Sequence, residues 1–141
     1  MRFLTFIFLF FPFIVIGQDS LPTICFIFDN GDVVEKEITL KTDKYGVKRS
    51  FINELTKNQI ETLDSIYVKG FTIEYFDYSV AFCGYDAEGW KRTFIDDRFK
   101  TLLQTDGKCK EVGLSLKLVK NATSEVVYIS EFHIYNYRLN K

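Results

Sequence analysis

The chain brings one histidine and three cysteines to any chemistry that needs a base, a nucleophile or a metal ligand. His133 sits in an apolar-alternating stretch and shares parity with Val127, Ile129 and Tyr135. Nucleophilic catalysis needs a Ser, Cys or Thr activated by such a base. No Gly-x-Ser-x-Gly elbow occurs, and a lone histidine on a strand is more often structural. Cys25, Cys83 and Cys109 form no Cys-x-x-Cys pair, so neither a zinc nor a redox spacing is present. The oxygen-rich stretches are Asp29-Asn30-Gly31-Asp32 and Asp96-Asp97. The first has the chemistry of a turn, and the second suits a helix N-terminus. Paired carboxylates for glycoside hydrolysis must face each other across a cleft, which spacing alone does not specify. The expectation is no catalytic residue, no metal and no cofactor. Asn121-Ala122-Thr123 fits an N-glycosylation acceptor in a turn.

A binding role is better supplied. Cys83-Gly84-Tyr85-Asp86-Ala87-Glu88-Gly89-Trp90 reads as the connection of a hairpin, and connections carry function more often than strands do. Tyr85 and Trp90 would form a contact patch for a partner, with Asp86 and Glu88 as its polar rim. The competing reading makes Trp90 the start of a strand and part of the core, the more ordinary place for a tryptophan. The expected disulfide is Cys83 to Cys109, because Cys25 lies in an apolar run that looks buried. Three reduced, buried thiols are the alternative.

Three hairpins and two helices would position these residues. Ile24 to Phe28 and Val33 to Leu40 flank Asn30-Gly31, a pair that tolerates the positive φ of a tight hairpin turn. Phe71 to Phe82 returns through Trp90 to Ile95, with the turn expected over residues 85–89. Phe76, Tyr78, Val80 and Phe82 alternate, while Ile73 and Tyr75 have the opposite parity, so a bulge is expected near Tyr75. Gly113 to Lys120 pairs with Val126 to Tyr137 across residues 121–124, and Leu114, Leu116 and Leu118 mark a period of two. Thr56 and Gln59 fit a capping box. Ile60, Leu63, Ile66 and Tyr67 then fall on one helical stripe that ends at Gly70. A shorter helix is expected over Asp97 to Gln104, with Phe99, Leu102 and Leu103 as its apolar side. The fold class is mainly β (α+β): an antiparallel sheet or β-sandwich built from hairpins, with one packed helix and one short helix.

The first residues indicate export. Arg2 precedes an apolar run from Phe3 to Ile16. A helix of that length spans about 21 Å, short of the roughly 30 Å of a bilayer's hydrocarbon core. Small Gly17 follows and the chain turns polar at Gln18, as at a signal-peptide cleavage site. The reading is a signal peptide over 1–17 and a single β-rich domain over 18–141, exported to the periplasm or secreted, with no stable membrane span after cleavage. Eighteen basic and 19 acidic residues give a net charge of −1. No basic stripe appears, so nucleic acid is not an expected partner; another protein is.

Residues 47–94 carry a family resemblance. They run through a strand, a Leu-Thr-x-x-Gln helix start (Leu55, Thr56, Gln59), Gly70, an alternating strand, a Gly-x-Asp-x-x-Gly stretch (Gly84, Asp86, Gly89) and an Arg-Thr-Phe strand. This order resembles the C-terminal β-domains of GldM, the periplasmic shaft protein of the gliding and type IX secretion machinery of Bacteroidota, over about half of the exported chain. The resemblance implies a β-rich, non-enzymatic scaffold fold in the periplasm. Together these readings point to a non-enzymatic binding or structural module of the cell envelope. The alternatives are an inhibitor or immunity-like protein that caps a partner enzyme and, behind it, a small hydrolase.

Overall fold

In the computed structural model, which describes residues 22–137, Asn30 and Gly31 turn the chain between its first two strands. The leader read from residues 1–17 lies outside the described residues. Gly31 takes φ +87°, and the Asp32 amide donates to Asn30 Oδ1 at 2.9 Å. The strands so joined are β1 (Thr23–Phe28) and β2 (Val33–Glu37), paired antiparallel. The second strand is shorter than the expected Val33 to Leu40. It breaks at Ile38, which is fully buried. Leu40 then belongs to β3 (Thr39–Thr42), which pairs with β4 (Lys48–Phe51). Asp43 holds that hairpin: its carboxylate accepts from the amides of Tyr45 and Val47, each at 2.9 Å, and from Arg49 Nε at 2.8 Å.

The expected helix after Thr56 forms for little more than one turn, as α1 (Lys57–Glu61). Its capping box is complete: the Gln59 amide donates to Thr56 Oγ1 at 3.2 Å, and the Thr56 amide donates to Gln59 Oε1 at 2.9 Å. The Thr62 hydroxyl then donates back to the Asn58 carbonyl at 2.9 Å, and the chain leaves the helix. Leu63, Ile66 and Tyr67, read as a helical stripe, instead form β5 (Leu63–Val68), which pairs with the free side of β1. The reason is tertiary. Ile24, Cys25 and Phe26 of β1 are buried without exposure, so both edges of that strand need partners. Ile66, Tyr67 and Val68 are types that suit a pleated surface.

The second sheet has the order β7-β6-β8-β9, all antiparallel. It comprises β6 (Phe71–Phe82), β7 (Tyr85–Arg92), β8 (Glu111–Lys120) and β9 (Val126–Asn136). Ile73 pairs with Leu118 and Tyr75 with Lys117, so Glu74 is an extra residue and the expected bulge is present. The β6–β7 turn is not at residues 85–89. Phe82 pairs with Tyr85, which leaves Cys83 and Gly84 as a two-residue turn, with Gly84 at φ +100°. Between β7 and β8 lies α2 (Asp97–Gln104), capped by Asp96 Oδ1 accepting from the Phe99 amide at 2.8 Å. The Tyr78 ring stacks on Phe99 with centroids 3.9 Å apart.

One hydrophobic cluster joins Ile24, Phe26 and Phe28 of the first sheet to Phe76, Val80, Leu114 and Leu118 of the second, with Phe99 and Leu103 of α2. The fold is mainly β, of the α+β class, with antiparallel sheets and, among the described residues, two helices. No helix among the described residues is long and apolar enough to cross a membrane.

Candidate functional site

Side chains alternate across a strand, so β6 and β8 have an inner and an outer face. Phe76, Tyr78 and Val80 with Val112, Leu114 and Leu116 turn inward and are buried. Tyr75, Asp77 and Ser79 with Ser115 and Lys117 occupy the opposite positions, on the outer face. The four residues expected to form a binding loop all lie in the edge strand β7. Ala87 and Gly89 sit opposite Val80 and Tyr78, so Tyr85 shares the inner side and stacks on Phe82 at 4.9 Å. Asp86, Glu88 and Trp90 have the outer parity. The expected patch is therefore split, and its loop is corrected to a strand.

Trp90 is not in the core: it exposes 69% of its surface. The backbone explains why. Gly89 pairs with Tyr78 and Arg92 with Phe76, so β7 carries an extra residue at Trp90-Lys91. Lys91 takes φ +50°, and its amide donates to Asp77 Oδ1 at 2.7 Å. Such a bulge re-aims the neighbouring side chain. Gly89 has its own packing role, because a Cβ there would lie 2.1 Å from the Tyr78 ring.

Beside Trp90 lies a depression of about 90 Å³ lined by Asp77, Ser79, Glu88, Gly113, Ser115 and Glu131. Its floor is made of small residues. The Ser79 hydroxyl donates to Glu131 Oε1 at 2.6 Å, and Gly113 permits this, since a Cβ there would meet that oxygen at 2.5 Å. Asp77, Glu88 and Glu131 have no cation within 4 Å among the described residues. The nearby cations are engaged elsewhere. Lys117 Nζ lies 3.1 Å from Glu74 Oε2 and over the rings of Tyr75 and Tyr128 at 5.5 and 5.7 Å. The Glu74 carboxylate raises the Lys117 pKa. Tyr128 is 67% exposed, so the outer face carries a second large aromatic.

His133 also departs from its expected parity. Leu116 pairs with Ile129 and Leu114 with Phe132, so β9 carries an extra residue between them. The inner positions move to Phe132 and Ile134, and His133 is exposed. It shares an open depression of about 200 Å³ with Arg49, Glu54 and Glu131. Burial raises the Glu54 pKa, and the nearby His133 works against the rise. General acid–base work requires hydrogen-bond reach, and among the described residues no hydrogen bond joins His133 to Glu54 or Glu131.

Cys83 and Cys109 form a disulfide with their Cα atoms 5.1 Å apart, and Cys25 is a buried free thiol. Lys110 is a chemical group that sequence reasoning missed. It is buried, and burial lowers its pKa to about 8. Its amine is spent on the carbonyls at the end of α2, donating to Leu103 and, at 2.9 Å, to Thr105. The residues behind the family resemblance do local backbone work: Leu55 is core, Thr56 and Gln59 cap α1, and Gly70 and Gly84 adopt positive φ.

No protein-family model, curated protein or solved structure matches the chain.

Proposed function

We propose that the chain is an exported, non-enzymatic binding module that engages another protein through the outer face of its four-stranded sheet. The carrying observation is Trp90, a tryptophan 69% exposed on a bulged and hydrogen-bonded strand. Aromatic side chains, tryptophan above all, are enriched among the anchors of protein interfaces. Tyr128, on the opposite edge strand, adds another exposed aromatic to the same sheet. Export is supported by the short apolar leader before Gly17 and by the Cys83–Cys109 bridge, which suits an oxidising compartment.

The test is capture of partners from the native cell envelope with the wild-type chain and with Trp90→Ala as parallel baits. Loss of an interface tryptophan costs about 2–4 kcal/mol, so a partner held by the wild type should be lost from the variant. A partner retained equally by both overturns the reading. A one-to-one complex that stops the turnover of an enzyme would narrow it to an inhibitor or immunity-like protein.

A further inference from the structure

We infer that the partner presents a lysine or arginine side chain, which seats between the Trp90 indole and the carboxylates of Glu88 and Glu131. This rests on the reading of the outer face as a docking surface and adds the chemistry of its occupant.

Charge selects that occupant. Asp77, Glu88 and Glu131 border one small depression, and no described cation lies within 4 Å of their carboxylates. Covering them with an apolar knob would strip water from three carboxylates without replacing it, which is costly. An acidic group would be repelled. A cation gains from all three and from the indole, because a ring face attracts positive charge. Asp77 and Glu131 each already spend one oxygen, on the Lys91 amide and the Ser79 hydroxyl. Each is thereby oriented by a bond within the sheet. Size agrees as well: about 90 Å³ over a floor of Gly113, Ser79 and Ser115 has room for the head of one side chain. The attraction is local, since the whole chain has a net charge of only −1. Arginine is the better fit of the two, because a planar guanidinium both stacks on an aromatic face and forks onto a carboxylate.

Trp90 is the only tryptophan in the chain, so its fluorescence reports on the depression directly. The experiment titrates the full chain with hexaarginine, hexalysine and hexaglutamate. Both cationic peptides should change the emission saturably, hexaarginine at the lower concentration, and hexaglutamate should not. The double variant Glu88→Gln/Glu131→Gln keeps an acceptor for Ser79 and should weaken the cationic peptides about tenfold or more. Glu37→Gln, on the other sheet, should leave them unchanged. A flat titration with both cationic peptides, or equal binding by the double variant, overturns the inference. The docking face is judged separately. A native partner lost on Trp90→Ala but kept in full by the double variant refutes the basic side chain alone. A partner kept by Trp90→Ala refutes the face itself.

Discussion

The inner and outer faces of the β7-β6-β8-β9 sheet are built from alternate residues of the same strands, yet they are governed by different physics. Phe76, Val80, Leu114 and Leu118 on the inner side are buried to within a few per cent and share one cluster with β1 and α2. On the outer side Asp77 accepts from the Lys91 amide, Ser79 donates to Glu131, Lys117 pairs with Glu74, and Trp90 is 69% exposed. Removing an inner residue should cost stability and leave binding intact wherever the chain still folds. Removing an outer residue should do the reverse. The lesson is that exposure of a large aromatic becomes informative when strand register imposes it, as the bulge at Trp90-Lys91 does here.

Four variants sharpen or break this contrast. Phe76→Ala removes a side chain that is 1% exposed and packed 6.1 Å from the Phe99 ring. Urea unfolding should show a loss of about 3–5 kcal/mol, and a loss below 1 would mean that the inner face is not the core. Cys83→Ser/Cys109→Ser opens a link across 26 residues at the end of the sheet. On the loop-entropy argument it should lower stability by about 3.5 kcal/mol, read by the same unfolding curve. Gly89→Ala pushes a methyl into the Tyr78 ring from the edge strand, with an expected cost of about 1–3 kcal/mol by overpacking. Its melting curve tests whether β7 is docked on the inner layer as described. Trp90→Ala is the smallest in stability, within about 0.5 kcal/mol of wild type. A large destabilisation there would place the indole in the core and erase the distinction between the faces.

Much of the inner face was legible in the sequence. Leu114, Leu116 and Leu118 alternate, Phe76 and Val80 alternate, and the parity change at Tyr75 marked a real bulge. Local chemistry was legible too: Asn30-Gly31 makes a turn, Thr56 and Gln59 make a cap, and Asp97–Gln104 is a helix. What failed depended on distant partners. Leu63, Ile66 and Tyr67 fit a helical stripe, but the open edge of β1 recruits them as a strand. The β3–β4 hairpin has short, mostly exposed strands without clean alternation, so no period announced it. Asp86, Ala87, Glu88 and Gly89 have turn-like composition, yet Gly84 makes the turn two residues earlier than expected.

The candidate face was legible only as residue types. Tyr85, Asp86, Glu88 and Trp90 were singled out, and three of the four share one face. Separating Tyr85 from them required the register of β7 against β6. Glu131 and Ser79 are 52 residues apart, and only the sheet brings them together. His133 was misplaced because an extra residue in β9 inverts the parity that its neighbours suggested. Bulges of this kind leave no fixed residue signature, so a face chosen from alternation alone is unsafe beyond them.

The most direct measurement is quenching of the single tryptophan by acrylamide, a neutral quencher that the surrounding carboxylates do not repel, made on the free chain and on the chain bound to a partner captured from the cell envelope. Free, Trp90 should be quenched readily, as its exposure requires; bound, it should be shielded. An indole protected from acrylamide in the free chain, or one equally quenched in both, would contradict the account.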